Sequence, residues 1–345
     1  MSGITEEAAR TRTELSSCWQ LDVGEYVTDA AISNDGLYAA VGTGGGEMVV
    51  IDAVSGKARW RKLEHEGGVL ALAFSPQEPV LATGGQDGRA CLFGATGQLL
   101  AQLPGKGGWV NHLDWSPDGR LLATASGRVA RLWTNAGEAR LETAPHPSTV
   151  AGIAWHKDAR EFATSCYGGV HLWSLESQTQ TRHLAWKGSL ISLAWSPDGK
   201  VIACGSQDSS VHFWRLATGN DSEMRGYPSK PKTIAWDAAS TMLATAGDAT
   251  ITVWKFSGKG PEGKRPQQLE GHKALCTALA FAPRGGRLAS GAQDTGLLLW
   301  EPQRGSKPLR YAFLEDEITK LVWHPQGKTL LAADASGHVA LFAAP

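Results

Sequence analysis

The chain contains 345 residues and has a mass of 36.7 kDa, enough to bury a hydrophobic core without disulfide bonds. Lysine and arginine number 33 against 34 aspartates and glutamates, and this net charge of -1 gives no excess of positive charge for nucleic acid or an anionic membrane. The 14 tryptophans outnumber the 8 phenylalanines and 5 tyrosines together, which points to an architecture that uses indole rings repeatedly.

The chain begins with a polar segment, residues 1–17, that we predict to be a flexible arm. It lacks the apolar core of a signal peptide, and no run of about 18 apolar residues occurs elsewhere to suggest a membrane span. The next segment, Cys18–Val23, has the character of a β-strand. We expect reduced, buried thiols of the kind found in cytoplasmic proteins, because the five cysteines form no C-x-x-C pair. They are Cys18, Cys91, Cys166, Cys204 and Cys276.

Beyond this strand, the chain repeats eight times. One position recurs in steps of 40 to 45 residues, and a second follows it about 19 residues later. Ten of the fourteen tryptophans fill these two columns. The first column is Ile32, Phe74, Trp115, Trp155, Trp195, Trp236, Phe281 and Trp323. The second column is Ile51, Phe93, Trp133, Trp173, Trp214, Trp254, Trp300 and Phe342.

Each unit is predicted to contain four short β-strands. The first strand ends at a turn such as Ser116-Pro117-Asp118-Gly119, whose residue types suit a hairpin, and the third ends at the second aromatic column. Eight such units predict an all-β, eight-bladed propeller that forms a single domain, residues 18–345. The last unit has no residues left for a fourth strand, so we predict that Cys18–Val23 completes it and closes the ring.

The repeats resemble those of the WD-repeat β-propeller family over about residues 18–345. The seventh unit contains the whole family signature, Gly271-His272, Ser290, Asp294 and Trp300. The resemblance implies that His272, Ser290, Asp294 and Trp300 form a structural hydrogen-bonded relay, which is the interpretation we prefer to a hydrolase triad. Other units keep fragments of the signature: the histidine position holds His65 in the second unit, His146 in the fourth and Trp186 in the fifth.

The resemblance also implies a contact face made by the loop before the first strand and by the second hairpin turn. Trp109 lies in that loop, belongs to neither aromatic column and has no predicted burial partner. Because tryptophan and tyrosine often contribute most to interface energy, we predict a partner-binding face here, with isolated exposed aromatics as the alternative. Its residues are Trp109, Tyr26, Leu275, Lys230, Glu317, Gln86, Gln207 and Gln293.

One long insertion, Ser257–Gln268, stands between the sixth and seventh units. It contains Lys259, Lys264 and Arg265 among glycines and prolines. We interpret it as a solvated loop, with a contact for an acidic partner as the alternative.

Catalytic and metal sites find little support in the sequence. The first-strand positions expected to line the central channel include Asp29, His112 and Lys320, but they assemble no carboxylate pair and no histidine–acid set. His171 and His212 occupy equivalent places in adjacent units without the further ligands that zinc needs. We therefore predict no catalytic residue, no metal and no cofactor.

These observations lead to a functional hypothesis. We expect a non-enzymatic protein–protein interaction scaffold that is a cytoplasmic monomer, binds one or more proteins through one propeller face, and binds neither nucleic acid nor membrane. Two other classes stay open: a hydrolase or lyase that uses the central channel, and a metal-handling accessory protein.

Overall fold

The computed structural model describes residues 13–258 and 260–344. Most of the predicted N-terminal arm, residues 1–12, and Lys259 lie outside the described residues. Within the described part, the chain forms β-strands joined by turns. No helix there has the length and hydropathy that a membrane crossing requires.

The strands follow the repeats in chain order. Ahead of the repeats lie β1 (Thr13–Glu14) and β2 (Ser17–Asp22). Blade one contains β3 (Val27–Ile32), β4 (Tyr38–Thr43), β5 (Glu47–Asp52) and β6 (Ala58–Leu63). Blade two contains β7 (Val69–Phe74), β8 (Leu81–Gly85), β9 (Arg89–Phe93) and β10 (Leu99–Pro104). Blade three contains β11 (Val110–Trp115), β12 (Leu121–Ser126), β13 (Val129–Thr134) and β14 (Ala139–Glu142).

The second half of the chain continues the series. Blade four contains β15 (Gly152–Trp155), β16 (Glu161–Ser174) and β17 (Gln180–Ser189). Blade five contains β18 (Ala194–Trp195), β19 (Val201–Gly205), β20 (Val211–Arg215) and β21 (Asp221–Met224). Blade six contains β22 (Thr233–Trp236), β23 (Met242–Ala246), β24 (Ile251–Lys255) and β25 (Gln267–Leu269). Blade seven contains β26 (Cys276–Phe281), β27 (Leu288–Ala292), β28 (Gly296–Trp300) and β29 (Arg310–Phe313), and blade eight contains β30 (Ile318–Trp323), β31 (Thr329–Asp334) and β32 (His338–Ala343).

The described strands form eight sheets, one for each repeat, in which the blade strands are antiparallel, so the predicted eight-bladed propeller is confirmed. Blade four departs from the predicted four strands, because its two middle strands are continuous in β16. Gly168 and Gly169 have φ values of 93° and 133° and divide β16 into a half that pairs with β15 and a half that pairs with β17. Only glycine adopts such angles readily, which allows the chain to turn without a longer loop.

The ring closes through the strand that precedes the repeats. β2 pairs antiparallel with β32, placing Trp19 opposite Leu341, so the predicted completion of the last blade is confirmed with bounds shifted by one residue. The Trp19 indole donates a hydrogen bond to the Ala53 carbonyl of blade one over 2.9 Å. Val41 and Val339 belong to one buried cluster between blades one and eight. The edge of β32 that would otherwise be unpaired is thereby covered.

The end of the predicted arm packs against the propeller. β1 pairs in parallel with β29 of blade seven, and Leu15 is buried in the core between blades seven and eight. Ser17 already belongs to the closing strand. Flexibility of the arm therefore stays a prediction for residues 1–12.

The aromatic columns differ in how they satisfy their indole groups. Trp115, Trp155 and Trp323 of the first column donate hydrogen bonds to carbonyls of the preceding blade over 2.9–3.2 Å. Trp133 and Trp173 of the second column donate to threonine hydroxyls within their own blade, over 2.9 Å in both cases. These bonds link neighbouring blades and stabilise blades internally, whereas the buried Nε1 groups of Trp195 and Trp236 have no hydrogen-bond partner among the described residues.

Candidate functional site

One end of every blade is built by the loop before the first strand and by the second hairpin turn. In five blades, a turn amide donates to the carbonyl of the predicted contact position in the loop, over 2.9–3.0 Å: Gly44 to Tyr26, Gln86 to Gly68, Gln207 to Ser189, Gln293 to Leu275 and Ala335 to Glu317. The repeated bond places both groups of predicted residues at the same end of the blades. We call this end the loop face.

A hydrogen-bonded relay fixes the loop face in blade seven. The Trp300 indole donates to Ser290 Oγ over 2.8 Å, and Ser290 lies 2.7 Å from His272 Nε2. His272 Nδ1 lies 3.1 Å from the Asp294 carboxylate, which also accepts the amides of Lys273 and Gly296. The Ser290 hydroxyl thus accepts a hydrogen bond from the indole and donates one to the imidazole.

The charge of the Asp294 carboxylate is stabilised within this relay. Burial alone would raise its pKa, but hydrogen bonds from His272 and from two backbone amides lower the pKa below its ordinary value. An ionised Asp294 favours the tautomer with hydrogen on Nδ1 of His272, which leaves Nε2 to accept from Ser290. The arrangement is a structural clamp.

Other blades build the corresponding hydrogen-bonded relay from different side chains. Blade two repeats the chain His65–Thr83 and His65–Asp87, at 2.8 and 3.1 Å. In blade six, Tyr227 stands in the histidine position and receives the Trp254 indole over 2.8 Å, a replacement that sequence analysis missed. The spacing of 18 residues from Tyr227 to Thr245, equal to that from His272 to Ser290, is the signal that could have found it.

Blade four uses a neutral histidine instead of a histidine–aspartate pair. His146 Nδ1 donates to the Arg128 carbonyl over 2.9 Å, while Nε2 accepts from Thr164 over 2.7 Å. Burial, opposed by the bond to Arg128 and helped by the nearby His171, lowers the pKa of His146 to about 4. The His146 and His171 rings are 5.0 Å apart.

Acid is expected to destabilise the protein through His146. The unfolded-state pKa near 6.5 exceeds the folded value near 4, so the unfolded state binds more protons below pH 6.5 and stability falls between pH 6.5 and 4. A His146→Gln variant should lose about 2 kcal/mol less free energy of unfolding over this interval than wild type. Urea denaturation at both pH values measures this difference. His338→Gln, at a partly exposed position of blade eight, is the control, and an equal acid loss in wild type and H146Q would refute the assignment.

Four of the predicted partner-binding residues line one groove on the loop face. Lys230, Leu275, Gln293 and Glu317 line a depression of about 490 Å³ that spans blades six to eight, with Ser209 of blade five at its margin. Lys232 lies in it as well and is exposed. We call this depression the blade 6–8 groove. Thr233 and Thr277 also line it. They lie in the first strands of blades six and seven, and first-strand positions are those expected to line the central channel, so the groove opens towards the channel mouth.

The groove combines one apolar anchor with charge. Leu275 leaves 37% of its surface exposed at the groove. Within the described part of the chain, neither Lys230 nor Lys232 forms an ion pair, and Gln293 offers an exposed amide. An apolar contact surrounded by unpaired polar groups is the composition of a small protein-binding surface.

The other predicted residues lie elsewhere on the loop face. Trp109 in blade three and Tyr26 in blade one are exposed by 56% and 46%, while Gln86 and Gln207 occupy the turns of blades two and five. None of these four lines the blade 6–8 groove. All eight predicted residues lie on the loop face, but only four of them line the groove, because the equivalent loop positions belong to separate blades.

The central channel contains charged groups that link blades. Asp29 of blade one forms a 2.8 Å ion pair with Lys320 of blade eight, and its carboxylate accepts the amides of Ala30 and Leu72. Burial and the charge of Lys320, opposed by Asp29, lower the pKa of His112 to about 4. The three side chains are thus close enough to interact, which sequence analysis did not anticipate.

Asp114, two residues from His112 in β11, is a further ionisable group with a shifted pKa. Burial raises the pKa of Asp114 to about 7, against the effect of two backbone hydrogen bonds. Its own backbone carbonyl accepts the Trp155 indole.

The histidines and cysteines are arranged for packing. His171 stacks on His183 with ring centroids 4.5 Å apart, and His212 stacks on Trp186 at 3.8 Å. In the described residues, no three His, Cys, Asp or Glu side chains are placed to hold a metal ion. Four cysteines are buried, but Cys18 is exposed, contrary to the prediction, because it lies on the outermost strand of blade eight.

The insertion lies within blade six rather than between units. Residues 256–266 join β24 to β25, the fourth strand of that blade, and Gln267 and Gln268 of the predicted insertion already belong to β25. Glu262 forms an ion pair with Arg215 of blade five at 2.8 Å, so the loop is anchored to a neighbouring blade. Of its three predicted cations, Lys264 and Arg265 are exposed, and Lys259 lies outside the described residues.

Comparison with known sequences identifies the repeats. The family described as "WD domain, G-beta repeat" matches residues 59–93, 97–134, 176–215, 222–255 and 263–301, which together exceed half of the chain. Mouse coronin-7 is 33% identical over 115 residues, which are 32% of this chain and 12% of coronin-7. Cell division cycle 20.6, cofactor of APC complex, from Arabidopsis thaliana is 27% identical over 81% of this chain and 60% of its own length.

The match spans only part of the length of these relatives, 12% of coronin-7 and 60% of the Arabidopsis protein. Among solved structures, the computationally designed Ika8 protein superposes with a TM-score of 0.82 at 21% identity, over 96% of this chain and 100% of that one. A likeness at that identity supports the fold alone.

Proposed function

We propose that this chain, which belongs to the WD-repeat β-propeller family, is a non-enzymatic scaffold that binds protein partners through the blade 6–8 groove. The observation that supports the proposal is the convergence of Lys230, Leu275, Gln293 and Glu317 on one depression. The name of the Arabidopsis relative, a cofactor of the APC complex, is consistent with a role in assemblies. Fold alone does not dictate function, so the proposal rests on the residues of the groove.

The composition of the groove suggests the kind of segment that binds. Leu275 offers an apolar contact, and the unpaired Lys230 and Lys232 favour acidic side chains beside it. Glu317 on blade eight would discourage an acidic group at that end. A peptide segment with an apolar residue followed by acidic residues therefore fits best.

Asp29 and His112 are poorly suited to catalysis, which supports the non-enzymatic part of the proposal. Asp29 is held by Lys320 and by two amides, so it is poorly placed as a general base. His112 stays neutral at pH 7 because of its low pKa. The proposal also includes a monomer in the cytoplasm, for which the unpaired thiols Cys91, Cys166, Cys204 and Cys276 are suited.

Substitution of the groove anchor tests the proposal. We expect Leu275→Glu to reduce the amount of partner recovered by affinity capture from native lysate roughly tenfold, because it places a charge at the apolar contact. Quantitative mass spectrometry of the captured proteins measures the loss.

The matched control is Leu309→Glu, which adds the same charge at another exposed leucine of the blade seven segment, outside the groove. Trp109→Glu tests the aromatic part of the loop face. Partner loss in W109E with full recovery in L275E would move the docking site to blade three and refute the groove assignment. Equal recovery from all variants would refute docking on the loop face.

A further inference from the structure

A second cleft lies at the opposite end of the blades from the loop face, because β24 and β28 both lead away from that face. It has a volume of about 410 Å³ and lies between the insertion of blade six and residues 302–305 of blade seven. Four cationic side chains line it, and no acidic side chain does: Lys255, Lys264, Arg265 and Arg304. We call it the basic cleft.

Most of this positive charge is uncompensated. Arg304 pairs with Glu301 at 2.8 Å, but Lys255, Lys264 and Arg265 form no ion pair in the described part of the chain. The whole chain has a net charge of only -1, so the cations are concentrated here rather than spread over a basic surface. A concave site with one sign of charge attracts counter-ions more strongly than an open surface.

The loop that carries two of these cations is held in place at both ends. The Arg215 guanidinium contacts both oxygens of Glu262 at 2.9 and 2.8 Å, and the Gln267 amide donates to the Gly305 carbonyl over 2.9 Å. Pro261 and Pro266 flank the segment that contains Lys264 and Arg265 and restrict its backbone. Because the loop is already ordered, a ligand would not have to supply the free energy of ordering it.

We propose that the basic cleft binds a phosphate group. The Arg265 guanidinium and the Lys255 and Lys264 ammonium groups, with the partly engaged Arg304 beside them, match a dianion with at least three acceptor oxygens. A single carboxylate has one charge and two oxygens, so it would leave most of these donors unmatched. The phosphate can belong to a free phosphorylated small molecule or to a phosphorylated peptide, and both sources present the same chemistry.

Calorimetric titration of the full chain at low ionic strength tests the proposal. The probes are pyrophosphate, a short phosphoserine peptide, and the same peptide with serine or with glutamate in place of phosphoserine. We expect saturable binding of at least one phosphate probe, with a Kd that rises roughly tenfold or more in Lys264→Glu/Arg265→Glu. Whether pyrophosphate or the phosphoserine peptide binds more tightly identifies the source of the phosphate.

Two further variants separate the site from general charge effects. Lys57→Glu/Lys187→Glu makes the same change of charge at exposed, unpaired lysines of other blades and should leave the Kd unchanged. Glu262→Gln keeps every cation but weakens the anchor of the loop, so it should also raise the Kd. No saturable binding of either phosphate probe, equal Kd values in the two double variants, or equal binding of the glutamate and phosphoserine peptides would overturn the proposal.

Discussion

Replacing Trp300 with alanine is expected to lower the free energy of unfolding by about 3–5 kcal/mol. Trp300 is fully buried in the cluster between blades six and seven, where it contacts side chains from both. Its removal leaves a cavity that the surrounding strands cannot close, and it takes the indole donor from Ser290. Urea denaturation followed by circular dichroism measures the loss.

The matched control is Trp109→Ala, which removes the same side chain from an exposed position. We expect that variant to stay within about 0.5 kcal/mol of wild type. Trp300→Phe separates packing from hydrogen bonding, because it keeps most of the ring but not the N–H group. Equal losses at positions 300 and 109 would contradict the division of the tryptophans into structural columns and a surface residue.

Removing residues 1–23 is expected to lower the melting temperature by roughly 5–15 °C. The deletion takes away β2, exposes the edge of β32, and uncovers the apolar cluster that Val339 and Leu341 form with blade one. An unpaired edge strand also invites association between molecules. Differential scanning calorimetry and gel filtration measure both effects.

Deletion of residues 1–12 is the control, because it retains β1, Leu15 and the whole closing strand. This shorter deletion should keep the wild-type melting temperature. If the deletion of residues 1–23 melted as wild type does and eluted at the same volume, the closing role of β2 would be wrong.

Much of the fold could be predicted from sequence, because the repeat records the same packing requirement eight times. In the first column, Trp115, Trp155 and Trp323 stand at positions where the indole donates to a carbonyl of the preceding blade. Closure was predictable from the missing fourth strand of the last unit. The exposure of Cys18 was not, because strand character says little about which face of an edge strand meets solvent.

The candidate site could be predicted only in part. A repeat alignment places Leu275 and Trp109 in equivalent positions, but it does not say which neighbouring loops leave a depression beside each of them. Tyr227 replaces the relay histidine with a phenol hydroxyl, and a search for histidine and aspartate does not detect it. The interaction of Asp29 with Lys320 depends on ring closure, since the two residues are far apart in sequence.

Photo-crosslinking from the groove tests the central claim most directly. Benzoylphenylalanine at position 275 and, in a separate variant, at position 309 would report which exposed leucine of this segment touches the captured partner. Docking in the blade 6–8 groove predicts a crosslink to the partner from position 275 and none from position 309. A crosslink from position 309 alone, or equal crosslinks from both, would contradict docking in the blade 6–8 groove.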